Sequence, residues 1–263
     1  MFIFDFEFVI SNLIKLETVD STNRYCGRMD LPNVSEFTTV WALRQTDGVG
    51  QRGNHWFSEA GANLTFSVVL HPVFLMPARQ FELTKAISLG VSDWLISLIG
   101  DYTRSADSEV SIKWPNDVFV GGRKICGILI ENRIGVRYET AICGIGLNVN
   151  QTVFGTGAPN ATSLKAITGR EYGLARQLQG VIECLQRRYD VLLAAGGSGS
   201  QQLDCDYLNR LLNLGVERRY IYKGSVISAT ITGLSPWGHL LLTTDDGSRL
   251  QCAMKEIAFL HDE

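Results

Sequence analysis

The sequence predicts an α+β protein with a mixed, largely antiparallel sheet, helices packed on that sheet, and a small β domain at the C-terminal end. Apolar residues alternate along several middle segments, two long segments have helical spacing, and short β runs dominate from residue 216 onwards. With 263 residues and 45% hydrophobic content, the chain can form one large domain with a smaller appendage. We therefore expect domains at residues 1–214 and 215–263.

Composition argues against several classes of protein. A formal net charge of −3 provides no basic surface for nucleic acid. Six cysteines without a CxxC pair fit free thiols in a reducing cytoplasm better than zinc ligands or disulfides, so no protein-bound metal site is expected. No apolar run reaches about 18 residues, which argues against a membrane span. Residues 1–15 alternate like a strand and lack a basic region, so we expect a cytoplasmic protein without a signal peptide.

The central stretch, residues 111–127, reads SIKWPNDVFVGGRKICG and predicts a hairpin. Its first strand is interrupted by Pro115, which cannot donate to a sheet ladder, so we expect a bulge or a strand edge there. Gly121 and Gly122 form a two-residue turn, because glycine adopts positive φ without a Cβ clash. The chain then returns as a strand over residues 124–131.

This hairpin gathers polar side chains near one end of the sheet. Lys113, Asn116, Asp117 and Lys124 supply two positive charges, an amide and a carboxylate. Lysines attract phosphate groups as point charges, and a carboxylate suits a magnesium ion that phosphates also hold. The pattern favours an anionic, phosphorylated ligand, although a solvated hairpin with ordinary surface lysines explains this stretch alone.

The remaining elements follow from periodicity and from turn residues. Residues 20–23 (DSTN) are a helix start, since short polar side chains satisfy the free N–H groups of a first turn. Further helices are predicted over residues 77–100, 174–195 and 203–214. Strands are predicted over residues 39–46, 63–70, 136–150, 219–222, 226–234, 240–244 and 249–257.

A glycine loop, residues 48–53, formally matches the GxGxxG pattern. A dinucleotide-binding fold needs a helix directly after the loop and an acidic residue about 20 positions on. Here a strand follows and residue 70 has no acidic neighbour nearby, so we reject that fold. The alternatives are a mobile loop that closes over a ligand and a plain flexible surface loop.

Together these motifs closely resemble the signature of biotin protein ligases, and the resemblance covers most of the chain. The specific part is KWPND at residues 113–117, followed by Lys124 and by GILIE at residues 127–131. Further matching segments are DSTN at 20–23, Gln45, WFS at 56–58 and GIGLNVN at 144–150. The resemblance implies that the C-terminal domain is an SH3-like barrel. It also implies the short, enzyme-only type that lacks an N-terminal DNA-binding domain.

The family resemblance implies an ATP-dependent ligase. Biotin and MgATP give biotinyl-5′-AMP and pyrophosphate, and the biotinyl group then passes to one lysine of a biotin carboxyl carrier protein or domain. ATP and Mg²⁺ are therefore the expected cofactors, with biotin as substrate. Neither nucleic acid nor a membrane is an expected partner, and a homodimer is one assembly that the resemblance allows.

The same resemblance implies roles for individual residues. Lys124 would bridge the biotin carboxylate and the α-phosphate, Lys113 would assist the phosphates, and Asp117 completes the catalytic set. The residues implied for biotin binding are Ser21, Thr22, Asn23, Gln45, Gly48, Gly50, Arg52, Gly53, Trp56, Lys124, Gly127, Gly144 and Gly146. Those implied for ATP binding are Arg52, Trp56, Lys113, Asn116, Asp117, Lys124 and Asn148.

One departure from the family pattern lies in the glycine loop. Val49 stands where the family usually has an arginine, which leaves Arg52 as the loop's only cation. We expect weaker retention of biotinyl-AMP as a result. Two other functions stay open. Lipoate ligases and octanoyltransferases share the general fold but usually carry an Arg–Gly–Gly–Gly stretch that is absent here. A binding module that lost catalysis is the other alternative.

Overall fold

The computed structural model describes residues 10, 12–100 and 109–260, without the side chain of Arg52. Most of the strand-like alternation over residues 1–15 lies outside this part. The described helices are α1 (Thr22–Gly27), α2 (Phe81–Ile99), α3 (Leu164–Thr168), α4 (Leu174–Ala195) and α5 (Gln201–Asn209). The strands up to the last helices are β1 (Leu13–Val19), β2 (Thr38–Gln45), β3 (Leu64–Leu70), β4 (Val110–Lys113), β5 (Asp117–Val120), β6 (Arg123–Ile134) and β7 (Tyr138–Leu147). The C-terminal strands are β8 (Glu217–Tyr222), β9 (Ser225–Leu234), β10 (Leu240–Thr244), β11 (Arg249–Cys252) and β12 (Ile257–Phe259).

The larger sheet of the described residues has seven strands in the order β1-β2-β3-β7-β6-β5-β4. Strand β1 runs parallel to β2, and every other neighbouring pair in this sheet is antiparallel. The predicted mixed, largely antiparallel sheet is therefore confirmed. The predicted strands 39–46 and 63–70 correspond to β2 and β3.

Strand β3 is buried along its whole length and contributes side chains to two hydrophobic clusters, one on each face of the sheet. Phe66 and Val68 pack in the main core with α2 and α4, whereas Val69 joins a second cluster with Cys26 of α1. Successive side chains of a strand point to opposite faces, so α1 lies across the sheet from the two long helices. Close approach of α2 and α4 needs Gly90, where a Cβ atom would lie 2.9 Å from the Leu185 Cα.

The central hairpin differs from the prediction at Pro115. The expected bulge is wrong, because the chain reverses there and Lys113 of β4 pairs with Asp117 of β5. The other expectation, a strand edge, agrees with the structure, since Pro115 lies just after β4, the edge strand of the larger sheet. The Trp114–Pro115 peptide bond in this turn is cis. The predicted glycine turn is confirmed, because Gly121 and Gly122 have φ of 54° and 70° between β5 and β6. Two tight reversals therefore bring the side chains of Lys113, Asn116, Asp117 and Lys124 together at one end of the sheet.

The predicted helix over residues 203–214 is wrong at its end, since α5 stops at Asn209. After the helix the backbone pairs with the edge strand β4. The Ile112 N–H donates to the Arg210 carbonyl at 2.7 Å, and the Leu212 N–H donates to the Ile112 carbonyl at 2.9 Å. Satisfying backbone groups of a buried edge strand therefore outweighs helical periodicity here.

The C-terminal strands form an antiparallel sheet in the order β11-β10-β9-β8-β12, as expected for the small β domain. The predicted strand 249–257 is wrong, because it divides into β11 and β12 at opposite edges of this sheet. A turn in which the Glu256 N–H donates to the Ala253 carbonyl at 3.0 Å joins them. The boundary at residue 215 stays a prediction.

Two hydrogen bonds join the C-terminal sheet to the rest of the molecule near the central hairpin. The Trp114 indole Nε1 donates to the Gly238 carbonyl at 2.9 Å, and the Arg79 Nη1 donates to the Pro236 carbonyl at 3.0 Å. Gly238 has φ of 81° and lies against the Phe81 ring, so a side chain would not fit there. In the described residues, no helix combines the length and apolar character that crossing a membrane requires.

Candidate active site

A cavity of about 370 Å³ opens where the two sheets meet. The start of α1, the end of β2, the glycine loop, the β4–β5 turn, β6, β7 and β12 all contribute to its walls. It collects most of the residues that the sequence singled out. The predicted residues that line it are Ser21, Thr22, Asn23, Gln45, Gly50, Trp56, Lys113, Asn116, Asp117, Lys124, Gly127, Gly144 and Gly146.

Three other predicted residues among those described do not line the cavity. The Gly48 carbonyl accepts a hydrogen bond from the Trp56 N–H at 2.9 Å, which joins the two ends of the loop. Gly53 is exposed. Asn148 is buried, and its Nδ2 donates to the Thr162 carbonyl at 3.0 Å, which commits this amide to the fold. The Arg52 side chain lies outside the described residues, so its predicted contacts stay a prediction.

The start of α1 forms the neutral, polar end of the cavity. Ser21 occupies the N-cap position, but its side chain makes no capping hydrogen bond, contrary to the expected use of this cluster. The Thr22 N–H instead donates to the Gln45 Oε1 at 2.8 Å. A side chain from β2 thus satisfies a free N–H of the first turn and fixes the position of α1 against the sheet.

The opposite end of the cavity carries the charges. The Lys124 Nζ lies 2.6 Å from the Asp117 Oδ2 and 5.8 Å from the centre of the Trp56 ring. Both members of this ion pair are about one third exposed, with side-chain exposures of 34% and 29%. The ammonium group is thus accessible to a ligand while a carboxylate and an aromatic face hold it in place.

Lys113 lies between two aromatic rings at this charged end. Its Nζ is 5.5 Å from the centre of the Phe119 ring and 5.0 Å from that of Phe259. Burial lowers the pKa of Lys113 below the usual 10.5, and nearby Lys124 adds to this effect while Asp117 opposes it. This ammonium is therefore poorly hydrated, which strengthens its attraction to an incoming anion.

The glycine loop folds as a small hairpin beside the cavity. Val49 pairs with His55, and the Gly50 N–H donates to the Asn54 carbonyl at 2.7 Å. Val49 is half-buried and lines the cavity, so its side chain stands where a ligand would meet it. Val49 is therefore not part of the buried hydrophobic core of the described residues.

Trp56 follows this loop and lies on two glycines of the sheet. A Cβ atom at Gly127 would come within 2.9 Å of the Trp56 ring, and one at Gly146 would overlap the indole. The indole Nε1 is buried and has no hydrogen-bond partner among the described residues. The glycines thus create the space that the indole covers.

Sequence reasoning missed the contribution of β12. Its residues Ile257, Ala258 and Phe259 line the cavity more than 130 positions after Asp117. No local pattern marks this role, because it arises only when the C-terminal sheet packs against the central hairpin. Ser67 was missed for a similar reason, since it is fully buried within β3 and no local pattern marks its hydrogen-bond partners.

The donor atoms of the site do not form a metal cage of their own. Among the described residues, no three His, Cys, Asp or Glu side chains come together as a metal site. Asp117 is the one carboxylate that lines the cavity in this part of the chain. All six cysteines are free thiols, and five of them are buried.

Known proteins with similar sequences are ligases. "Biotin--[acetyl-CoA-carboxylase] ligase" of Mycobacterium tuberculosis is 32% identical over 175 residues, covering 66% of this chain and 60% of that protein. "Bifunctional ligase/repressor BirA" of Bacillus spizizenii is 28% identical over 243 residues, covering 90% of this chain and 70% of that protein.

Solved structures and a family model agree with these similarities. The biotin protein ligase from Aquifex aeolicus, solved in complex with biotin and ATP, is 28% identical, with a TM-score of 0.78 over 96% of this chain and 100% of its own. The model of the biotin/lipoate A/B protein ligase family matches residues 16–148. This match spans half of the chain, and the described fold agrees with it. The chain therefore belongs to the biotin/lipoate A/B protein ligase family.

Proposed function

We propose that this chain is a biotin protein ligase, which activates biotin with ATP and transfers the biotinyl group to a lysine of a carrier protein. The observation that carries the proposal is a single cavity with a hydrogen-bonding end at Thr22 and Gln45 and a cationic end at Lys113 and Lys124. Biotin has the matching polarity, with a polar ureido ring at one end and a carboxylate at the other. The sequence similarity to biotin--[acetyl-CoA-carboxylase] ligases supports biotin as the substrate.

Catalysis of the first half-reaction depends chiefly on electrostatic stabilisation by the protein. A carboxylate oxygen of biotin attacks the α-phosphorus of ATP, and pyrophosphate leaves with the electrons of the broken P–O bond. Both reactants are anions, so positive charge at the reacting centre lowers the barrier. We assign this role to Lys124, whose accessible Nζ faces the cavity, and a supporting role at the phosphates to Lys113. Holding both substrates in one cavity adds the advantage of proximity.

Magnesium enters this scheme as part of the MgATP substrate. Mg²⁺ is commonly held by one or two protein carboxylates together with substrate phosphates and water. Asp117 and the neighbouring Asn116 fit that pattern as oxygen donors near the phosphates. This assignment requires Asp117 to exchange part of its contact with Lys124 when the nucleotide arrives.

The second half-reaction joins the biotinyl group to protein. The neutral amine of an acceptor lysine attacks the acyl carbon, AMP leaves, and the new amide forms after loss of a proton. We propose a biotin carboxyl carrier protein or domain as the acceptor, residues 1–214 as the catalytic domain and 215–263 as the β-barrel domain. A cytoplasmic location, a homodimer and the absence of nucleic-acid and membrane partners stay predictions.

A single-turnover assay with biotin, ATP and a carrier domain tests the proposed function. We expect biotinyl-AMP to appear first and biotinylated carrier to follow. Lipoate in place of biotin is the control for the other branch of the family, and we expect no lipoyl-AMP. Efficient use of lipoate, or tight binding of biotin without any adenylate, would contradict the proposal.

Lys124→Ala should lower the rate of adenylate formation by about 100-fold or more, because its charge matters most as the pentavalent α-phosphate forms. Affinity for biotin, measured by calorimetry, should change much less. Lys165→Ala is the matched control, since Lys165 is a surface lysine paired with Glu171 at 3.1 Å. Adenylation at the parent rate in the Lys124 variant would remove this residue from the mechanism.

The lowered pKa of Lys113 predicts a pH dependence. The ammonium form assists the phosphates, so kcat/KM for ATP should fall as the pH rises through a value below the usual lysine pKa of 10.5. Lys113→Arg should be slower but should keep its activity to higher pH, because a guanidinium does not lose its proton in this range. Identical alkaline midpoints in both forms, measured between pH 7 and about 10.5, would show that another group titrates.

A further inference from the structure

Behind Thr22 lies a chain of hydrogen bonds that starts on β3. The Ser67 Oγ is 2.7 Å from the Thr22 Oγ1 and 2.7 Å from the Asn23 Oδ1. We call these three side chains the relay. Ser67 is fully buried, and Thr22 and Asn23 are 3% and 4% exposed and line the cavity. Each member therefore has its hydrogen-bond partners fixed by the fold.

The orientation of the relay is set at Asn23. Its Nδ2 donates to the Glu131 Oε2 at 2.8 Å and faces the Leu129 carbonyl at 3.4 Å. A carboxylate and a backbone carbonyl accept hydrogen bonds and cannot donate them. The NH₂ end of the Asn23 amide must therefore face these two oxygens, which leaves the Oδ1 facing Ser67.

This orientation determines the direction of every hydroxyl proton. The Asn23 Oδ1 is an acceptor, so the single hydroxyl proton of Ser67 points to it. Ser67 then has no proton left for the Thr22 Oγ1. The Thr22 hydroxyl has two acceptors within reach, the Ser67 Oγ at 2.7 Å and the Gln45 Oε1 at 3.2 Å. Two hydroxyl oxygens 2.7 Å apart need a proton between them, so the Thr22 hydroxyl donates to Ser67. The lone pairs of the Thr22 hydroxyl are thereby left to accept a hydrogen bond from the cavity.

Gln45 offers the cavity a hydrogen-bond donor, whereas Thr22 offers an acceptor. Its Oε1 accepts the Thr22 N–H, so the NH₂ group lies at the far end of the amide and remains a donor. The polar end of the cavity thus combines an acceptor at Thr22 with a donor on Gln45. A ligand that presents an N–H beside a C=O complements this pair.

We propose that Ser67 is a positioning residue that fixes Thr22 as a hydrogen-bond acceptor and thereby selects ligands with a urea N–H beside a carbonyl. This inference rests on the proposed function and deepens it, because it gives the physical basis for choosing a cyclic urea. A dithiolane ring such as that of lipoate has no N–H to offer. Ser67 acts only through Thr22 and does not line the cavity.

The first arm of the test compares ligands on the parent protein. Dissociation constants are measured by calorimetry for biotin and for its two cyclic carbamate analogues, in which oxygen replaces one or the other ureido N–H. The carbamate that places oxygen against Thr22 should bind about 10-fold more weakly or worse, since two acceptors then face each other in a buried site.

The second arm removes the relay. In Ser67→Ala the Thr22 hydroxyl can turn and donate to the carbamate oxygen. The affinity ratio, which is the dissociation constant of this carbamate divided by that of biotin, should then fall below about 3-fold, because most of the cost of one unmade hydrogen bond is removed. Ser88→Ala is the matched control, because Ser88 is also a fully buried serine but lies in α2 away from the cavity. Its affinity ratio should equal that of the parent.

The outcomes separate this inference from the proposed function. A parent protein that fails to bind biotin overturns the proposed function. Equal affinity of the parent for biotin and both carbamates overturns the relay, and so does an unchanged ratio in folded Ser67→Ala. Thermal unfolding checks the fold of each variant. If Ser67→Ala does not fold, the nearly isosteric Ser67→Cys, whose thiol is a weak donor, takes its place with the same expected fall in ratio.

Discussion

The pairing of β6 with β7 determines where a ligand can lie in this molecule. It sets Gly127 directly opposite Gly146, and it sets Gly144 opposite Leu129. Two missing side chains at facing positions leave a groove in the sheet, which Trp56 covers. At Gly144 the missing Cβ makes room for the Asn23 side chain, so the same strand pair also seats the polar end of the cavity. Register between two strands thus sets the shape of the whole site.

The charged end depends on contacts that cross between the two sheets. The Trp114 hydrogen bond to Gly238 holds the turn that precedes Asp117 against the C-terminal sheet. Phe259 of that sheet packs beside the Lys113 ammonium. The C-terminal sheet therefore influences both the position and the hydration of a charged group in the cavity. A lysine desolvated in this way interacts strongly with phosphate, but only while the sheets stay together.

Local chemistry explains which parts of this arrangement were predictable. The glycine turn at residues 121 and 122 follows from backbone preference alone, and it brings Lys124 back towards Asp117. The approach of Lys113 to Asp117 depends in addition on the chain reversal at Pro115. The early end of α5 and the division of the last strand were not predictable, because distant backbone groups at β4 and β8 decide them. The same limit explains Ser67, since a lone serine in a buried strand has no local signature of its hydrogen-bond partners.

A crystal structure with biotin and a non-hydrolysable ATP analogue tests the central claim most directly, namely that one cavity binds biotin between a neutral end and a cationic end. The account predicts the ureido ring at Thr22 and Gln45, with the carboxylate about 3 Å from the Lys124 Nζ and the phosphates beside Lys113. A carboxylate directed towards Thr22, or biotin bound outside the groove over Gly127 and Gly146, would contradict it.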